Sequence, residues 1–256
     1  MTNVFEKIVD SRRNNCEFAI CIITGTKGSV PRAVGAKMLV YPDGSIFGTI
    51  GGGRIEKKVI EDALGVLKDN KPTFLHYDLL KQLQMCCGGS IEVYIEPVMK
   101  KNKLYIFGAG HTGYALARRS VDFDFEITII DDRKEYINEV NLTGISKIFG
   151  PYEEVLATLT FDERTYITIM TYSHPHDREI LSFCIKKPYA YMGMMGSMRK
   201  VEVTKKIFIE AGIGTPEELS NVNMPMGIEI GADGPEEISI SILAKLLSVK
   251  NKKQKK

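Results

Sequence analysis

Several stretches of this chain carry glycines where an anionic ligand would need bare backbone. The first is T-K-G-S-V-P-R-A-V-G-A-K, residues 26–37, followed later by the triplet Gly51-Gly52-Gly53. Loops without Cβ atoms let N–H groups approach a phosphate, and a helix N-terminus behind them adds favourable charge. Ser29, Arg32, Lys37 and Arg54 place a hydroxyl and cations beside these glycines, and Glu56 follows within one helical turn of the triplet. A thiol motif comes next, Met85-Cys86-Cys87-Gly88-Gly89-Ser90. A thiol in a glycine loop is accessible, and a neighbouring Lys or Arg would lower its pKa, so Cys86 or Cys87 could serve as a reactive thiolate. Adjacent cysteines make a strained disulfide with each other. The plainer alternative is that both are small, half-buried residues ahead of a strand.

A second constellation lies further on. Gly108-Ala-Gly110-His111-Thr-Gly113 follows a strand-like run and opens a helix-like one, and Asp131-Asp132 closes the next strand. In that context the pattern reads as a dinucleotide-binding fingerprint. Gly108 would make the tight turn, Gly110 would admit a pyrophosphate, and Gly113 would let helix and strand approach. Asp131 would accept from a ribose hydroxyl. His111 is either a polar loop residue or a contact to phosphate or pterin. Thr171-Tyr-Ser-His174-Pro-His176-Asp177 follows another strand. Its histidines and carboxylate are metal-ligand types, but the spacing is tight and a fourth ligand is missing, so helix capping by Ser173 or Asp177 is the ordinary reading. Gly196-Ser197 begins a third strand-to-helix loop. Ser197 could cap its helix, and Arg199 or Lys200 could meet a phosphate.

These motifs need elements to hold them. Val4, Phe5, Ile8 and Val9 have helical spacing, and Phe18–Thr24 is a buried-strand run. Residues 37–41 and 45–50 flank Pro42-Asp43-Gly44 and predict a hairpin. Ile55, Val59, Ile60, Ala63, Leu64 and Leu67 form one face of a helix, with strands expected at 73–77 and 91–98. A polar stretch, residues 99–103, reads as a linker. Beyond it strands (104–107, 126–130, 166–170, 189–194) alternate with helices (114–120, 177–185, 200–210, 236–247). That alternation predicts a parallel sheet covered on both faces. Cys16, Cys21 and Cys184 fall in apolar or helical runs and read as core. The fold class is therefore α/β: a mixed-sheet domain over 1–99, a Rossmann-like doubly wound domain over 103–249, and a basic disordered tail over 250–256.

Composition narrows the classes. The 256 residues are 44% hydrophobic with a net charge of +2, enough for a sizeable core and too neutral for bulk attraction to nucleic acid or membrane. No apolar run is long enough to span a bilayer. The N-terminus lacks a signal-peptide pattern, and five cysteines without framework spacing fit a reducing cytoplasm.

Taken together, G-S-V-P-R-A-V-G-A-K-M, the Gly51 triplet with Glu56, Cys87-Gly-Gly with I-E-V-Y-I-E-P, and three later blocks resemble the XdhC/CoxI family. The later blocks are Gly108–Gly113, Y-M-G-M-M-G-S-M-R-K ending at Lys200, and G-I-E-I-G-A-D-G-P-E-E ending at Glu237. The resemblance implies an accessory protein for molybdenum hydroxylases such as xanthine dehydrogenase. Such a protein binds the molybdenum cofactor (molybdopterin), supports its sulfuration by a cysteine desulfurase, and delivers it to the client. It also implies a homodimer and a cofactor chaperone rather than an ordinary enzyme. Two departures stand out: Arg54 where many members have a cysteine, and Tyr172 where many have histidine. The alternative reading is an NAD(P)-dependent oxidoreductase that uses the second half and leaves the first unexplained.

Overall fold

The computed structural model describes residues 3–84 and 88–254. The chain divides into two compact units, residues 1–100 and 101–256. The first opens with α1 (Val4–Arg13), whose N-terminus is closed by a capping box. Glu6 N–H donates to Asn3 Oδ1 at 2.9 Å and Asn3 N–H to Glu6 Oε2 at 2.8 Å, so two otherwise orphaned donors are satisfied. Then come β1 (Phe18–Lys27), β2 (Lys37–Val40), β3 (Ile46–Gly48), α2 (Gly53–Asp69), β4 (Thr73–Asp78) and β5 (Ser90–Val98). The sheet has the order β3-β2-β1-β5-β4, and all of its pairings are antiparallel.

The helix face read from the sequence is the one α2 buries. Ile55, Val59 and Ala63 pack onto Ala19, Cys21, Ile23, Val93 and Ile95 from one sheet face. Cys21 is fully buried in this core, and Cys184 in that of the second unit. Burial pushes both thiols up to about 12, so neither is poised to react. Cys16 is only half-buried.

The second unit runs β6 (Asn102–Phe107), α3 (His111–Ser120), β7 (Phe125–Asp131), α4 (Lys134–Glu139), β8 (Ser146–Phe149), α5 (Tyr152–Thr158), β9 (Thr165–Ile169), α6 (His174–Cys184), β10 (Tyr191–Met194), α7 (Met198–Glu210), α8 (Pro216–Ser220) and α9 (Gly234–Gln254). Its sheet has the order β10-β9-β6-β7-β8 and is parallel throughout. Alternate residues of β6 feed two cores, because strand side chains point to opposite faces. Leu104 and Ile106 pack with Leu116, Ile242 and Leu246 on one face. Tyr105 and Phe107 pack with Val155, Ile180, Leu181 and Phe208 on the other. The chain lays down β7 and β8 on one side of β6, then β9 and β10 on the other. The strand order therefore reverses between β6 and β9, where ligands enter open α/β sheets.

One element departs from expectation at its end. Helix α9 continues through Gln254, so most of the predicted disordered tail is helical. Lys250 anchors it: its ammonium donates to Phe123 O at 2.5 Å and lies 5.1 Å from the Phe125 ring centre. Among the described residues no helix is long and apolar enough to cross a membrane.

Candidate functional site

In the first unit the glycine motifs converge. A Cβ on Gly89 would lie 2.4 Å from Ser29 O and 2.6 Å from Lys27 O, so only glycine lets that strand entry lie against the 27–29 backbone. A Cβ on Gly51 would lie 2.5 Å from Pro31 Cγ, so the same loop also closes onto the triplet. Gly52 and Gly53 have φ of +72° and +65° and face open space. The anion nearest the triplet is internal, however. Glu56 accepts from Thr49 Oγ1 at 2.6 Å and from Gly52 N–H at 3.3 Å. The cations divide as well. Arg54 donates to Leu83 O and Gln84 Oε1, at 3.1 and 3.2 Å. Lys37 donates to Gly35 O at 3.0 Å. Ser29 and Arg32 are exposed, and among the described residues Arg32 has no hydrogen bond or ion pair. Gly88 and Gly89 border the thiol motif; Cys87 itself, with Cys86, lies outside the described residues.

In the second unit the fingerprint glycines divide by role. Gly108 has φ +109°, and a Cβ there would lie 2.4 Å from Met170 O. On Gly113 a Cβ would lie 1.8 Å from Gly108 O, so α3 can approach β6 only without it. Gly110 meets nothing within 4 Å and lines the open crevice. It caps α3 without a side-chain acceptor, leaving first-turn N–H groups available to an anion. His111, the first residue of that helix, is exposed beside it.

Asp131 does not stand ready for a ribose. It is fully buried, and its carboxylate is taken up inside the protein. Ala109 N–H donates to Oδ2 at 2.6 Å, and Arg133 donates through Nε (2.8 Å), Nη2 (2.8 Å) and its own N–H (3.0 Å). Burial pushes the carboxyl up, but the Arg133 and Ala109 hydrogen bonds outweigh it and hold Asp131 below the usual carboxylate range. The guanidinium is stacked too: its central carbon lies 3.8 Å from the Tyr136 ring centre and 4.3 Å from that of Tyr172. Arg133 thus cancels a charge and fixes two rings.

The sign of the pH dependence follows. A carboxyl depressed in the native state adds stability above its unfolded value near 4, lost as pH falls through the lower native value. Replacing Arg133 by methionine leaves a buried carboxylate with backbone N–H donors but no cation, and the expected loss at pH 7 is about 3–5 kcal/mol. Denaturation series from pH 7 to 3 should show that gap narrowing as the carboxyl protonates; a pH-independent gap would refute the pairing.

The remaining loops are cross-linked. Asp177, fully buried, accepts from Thr171 N–H (3.0 Å), Thr171 Oγ1 (2.8 Å) and Lys200 Nζ (2.5 Å). Lys200 also donates to Met195 O at 2.7 Å. Its stem passes over Gly196, where a Cβ would lie 2.5 Å from Lys200 Cδ. Lys200 is therefore committed to Asp177 rather than free for a phosphate. Ser197 does cap α7, accepting from Lys200 N–H at 3.4 Å. Ser173 occupies the N-cap of α6 without a side-chain bond, and His174 is exposed at its first turn. His176 instead sits 3.3 Å from the Tyr172 hydroxyl, which donates to Asp132 at 3.1 Å.

Two adjoining cavities result. One of about 340 Å³ is lined by Gly110, His111, Tyr114, Tyr136, Glu139 and Glu236, among others. Another, of about 250 Å³, shares Gly110, His111 and Tyr136 and reaches Arg133, Thr171 and Tyr172. Arg133, Tyr136 and Glu139 escaped the sequence reading. The one available signal was an arginine two residues after Asp131 with a tyrosine three further on.

A parallel sheet with a glycine loop and helix N-terminus at its switch point defines a Rossmann-type domain, here following an antiparallel α/β unit. Residues 104–246 match the model of the XdhC Rossmann domain, and residues 11–78 that of the XdhC and CoxI family. The chain belongs to the XdhC/CoxI family. It is 34% identical over 253 residues to the uncharacterized protein YqeB of Escherichia coli K12, covering 97% of this chain and 46% of that protein. It is 27% identical over 161 residues to a Bacillus subtilis 168 protein described as a probable subunit of xanthine dehydrogenase, covering 62% and 46%. The chain thus spans about half the length of both relatives. A Bacillus halodurans crystal structure, described as a xanthine dehydrogenase, shares the fold with a TM-score of 0.54 at 21% identity, covering 96% of this chain and 95% of that one.

Proposed function

We infer that this chain is an accessory factor for a xanthine dehydrogenase-type molybdenum hydroxylase. In this reading it binds the molybdenum cofactor, supports its sulfuration by a cysteine desulfurase, and passes it to the client. The observation that carries the reading is family membership spread over both units, with a relative described as part of a probable xanthine dehydrogenase. The second unit's chemistry fits a phosphorylated pterin. First-turn N–H groups of α3 suit the phosphate, and the Tyr114 and Tyr136 rings suit a flat heterocycle. The enclosed Asp131 argues against NAD, whose ribose readout needs a free carboxylate. When bound, the cofactor supplies the redox chemistry of the client enzyme. This chain's part is to hold the phosphate and ring, keep water off them, and offer a soft thiolate, which we assign to Cys87. A cytoplasmic homodimer completes the proposal.

Cys87→Ala tests it. Client hydroxylase matured with the variant should lose most of its activity and its cyanide-releasable sulfur. The variant itself should keep the parent's thermal midpoint. A fully active, normally sulfurated client would remove Cys87 from the process. Purified parent protein that carries no pterin, from a host that makes the cofactor, would remove the whole reading.

A further inference from the structure

The lining of the larger cavity combines hydrogen-bond donors, aromatic rings and carboxylates. Gly110 and the uncapped start of α3 offer N–H donors. Two carboxylates line it as well, Glu139 at the end of α4 and Glu236 near the start of α9. Glu236 is committed: Arg118 Nη2 donates to its Oε2 at 2.9 Å, and Arg119 pairs with it as well. Glu139 is exposed at the rim, and among the described residues it has no hydrogen bond or ion pair. The rings of Tyr114 and Tyr136 line the same cavity, and Tyr136 is held in place by the stacked Arg133. A ligand matched to this lining has an anionic group, a flat body, and an edge that donates hydrogen bonds.

We propose that Glu139 selects the ring, accepting paired hydrogen bonds from a 2-amino-4-oxopyrimidine edge such as that of pterin or guanine. That edge presents a ring N–H beside an exocyclic amino group, two parallel donors that a carboxylate accepts in a fork. Adenine presents an unprotonated ring nitrogen there, and a carboxylate opposite that lone pair is repelled. The inference rests on the accessory-factor reading and adds to it the residue that discriminates between rings. Glu139 ends a helix and is exposed, so variants at this position are expected to keep the fold.

Calorimetric titration of the full chain with neopterin monophosphate, GMP, AMP and NADH tests the proposal. The first two should bind at least about tenfold more tightly than AMP or NADH, the scale of one hydrogen-bonded charged pair. Glu139→Gln and Glu139→Ala should erase that preference and leave AMP unchanged. Equal or tighter binding of AMP or NADH, a preference that survives both substitutions, or no binding of any probe would overturn it. Retention of co-purified pterin by the Glu139→Ala protein, with the preference unaltered, would sink this inference alone. Absence of pterin from the parent protein would sink the accessory-factor reading instead.

Discussion

Asp177→Ala should cost the second unit about 3–5 kcal/mol, the usual penalty for stranding one member of a buried ion pair. Lys200 would keep only Met195 O as a close acceptor in a site where its side chain is 12% exposed. Thr171 N–H would lose the oxygen it now uses, while its hydroxyl would keep Ser173 O, 2.9 Å away, as an acceptor. The bonds of Asp177 and Lys200 join the loop after β9 to the loop after β10, and Thr171 and Met195 both line the smaller cavity. Urea denaturation should therefore show the loss, and ligand binding should weaken with it. Asp177→Ala combined with Lys200→Met should recover part of the stability, because no buried charge is then left alone. A single variant within about 1 kcal/mol of the parent would show that the pair is not the tie between these loops.

The sequence pattern disclosed most of this framework for a physical reason. Residues 104–107, 126–130 and 166–170 are near-continuous apolar runs because each strand is buried on both faces. The α2 face and the Asp43-Gly44 turn are local signals of the same strength. Short elements were less visible. Helices α4, α5 and α8 have six, seven and five residues, too few for periodicity to emerge. Strand β8 is an edge strand with little burial. At the site, spacing located the glycines but not the use of their neighbours. Asp131 occupies the position of a ribose acceptor, yet an arginine two residues away folds back onto it. Lys200 sits beside a phosphate-type loop, yet its long stem reaches Asp177 across 23 residues of sequence. Glu56 fills part of the triplet's own donor set. In each case a charged side chain is taken up inside the protein, and a linear motif carries no information about which partner a flexible charged side chain will find.

The glycine loop offers the sharpest separation of folding from binding. Gly113→Ala is expected to cost about 3 kcal/mol or more, at the upper end of overpacking penalties, because the added methyl would lie 1.8 Å from Gly108 O. That obstacle is backbone, fixed in turn by Gly108 N–H donating to Ile130 O at 2.8 Å, so no side-chain rotation relieves it. Helix α3 would have to lift from β6, opening the core that Leu116 and Ile106 share. Gly110→Ala should behave in the opposite way. Its φ of −64° suits any residue and its Cβ would meet nothing, so stability should change by less than about 1 kcal/mol. The methyl would instead project toward the space that a phosphate needs, and neopterin monophosphate affinity should fall by about tenfold or more. Thermal denaturation and calorimetry on the two variants settle the matter together. If Gly110→Ala bound as well as the parent, the ligand would not approach this loop, whatever Gly113→Ala did to the fold.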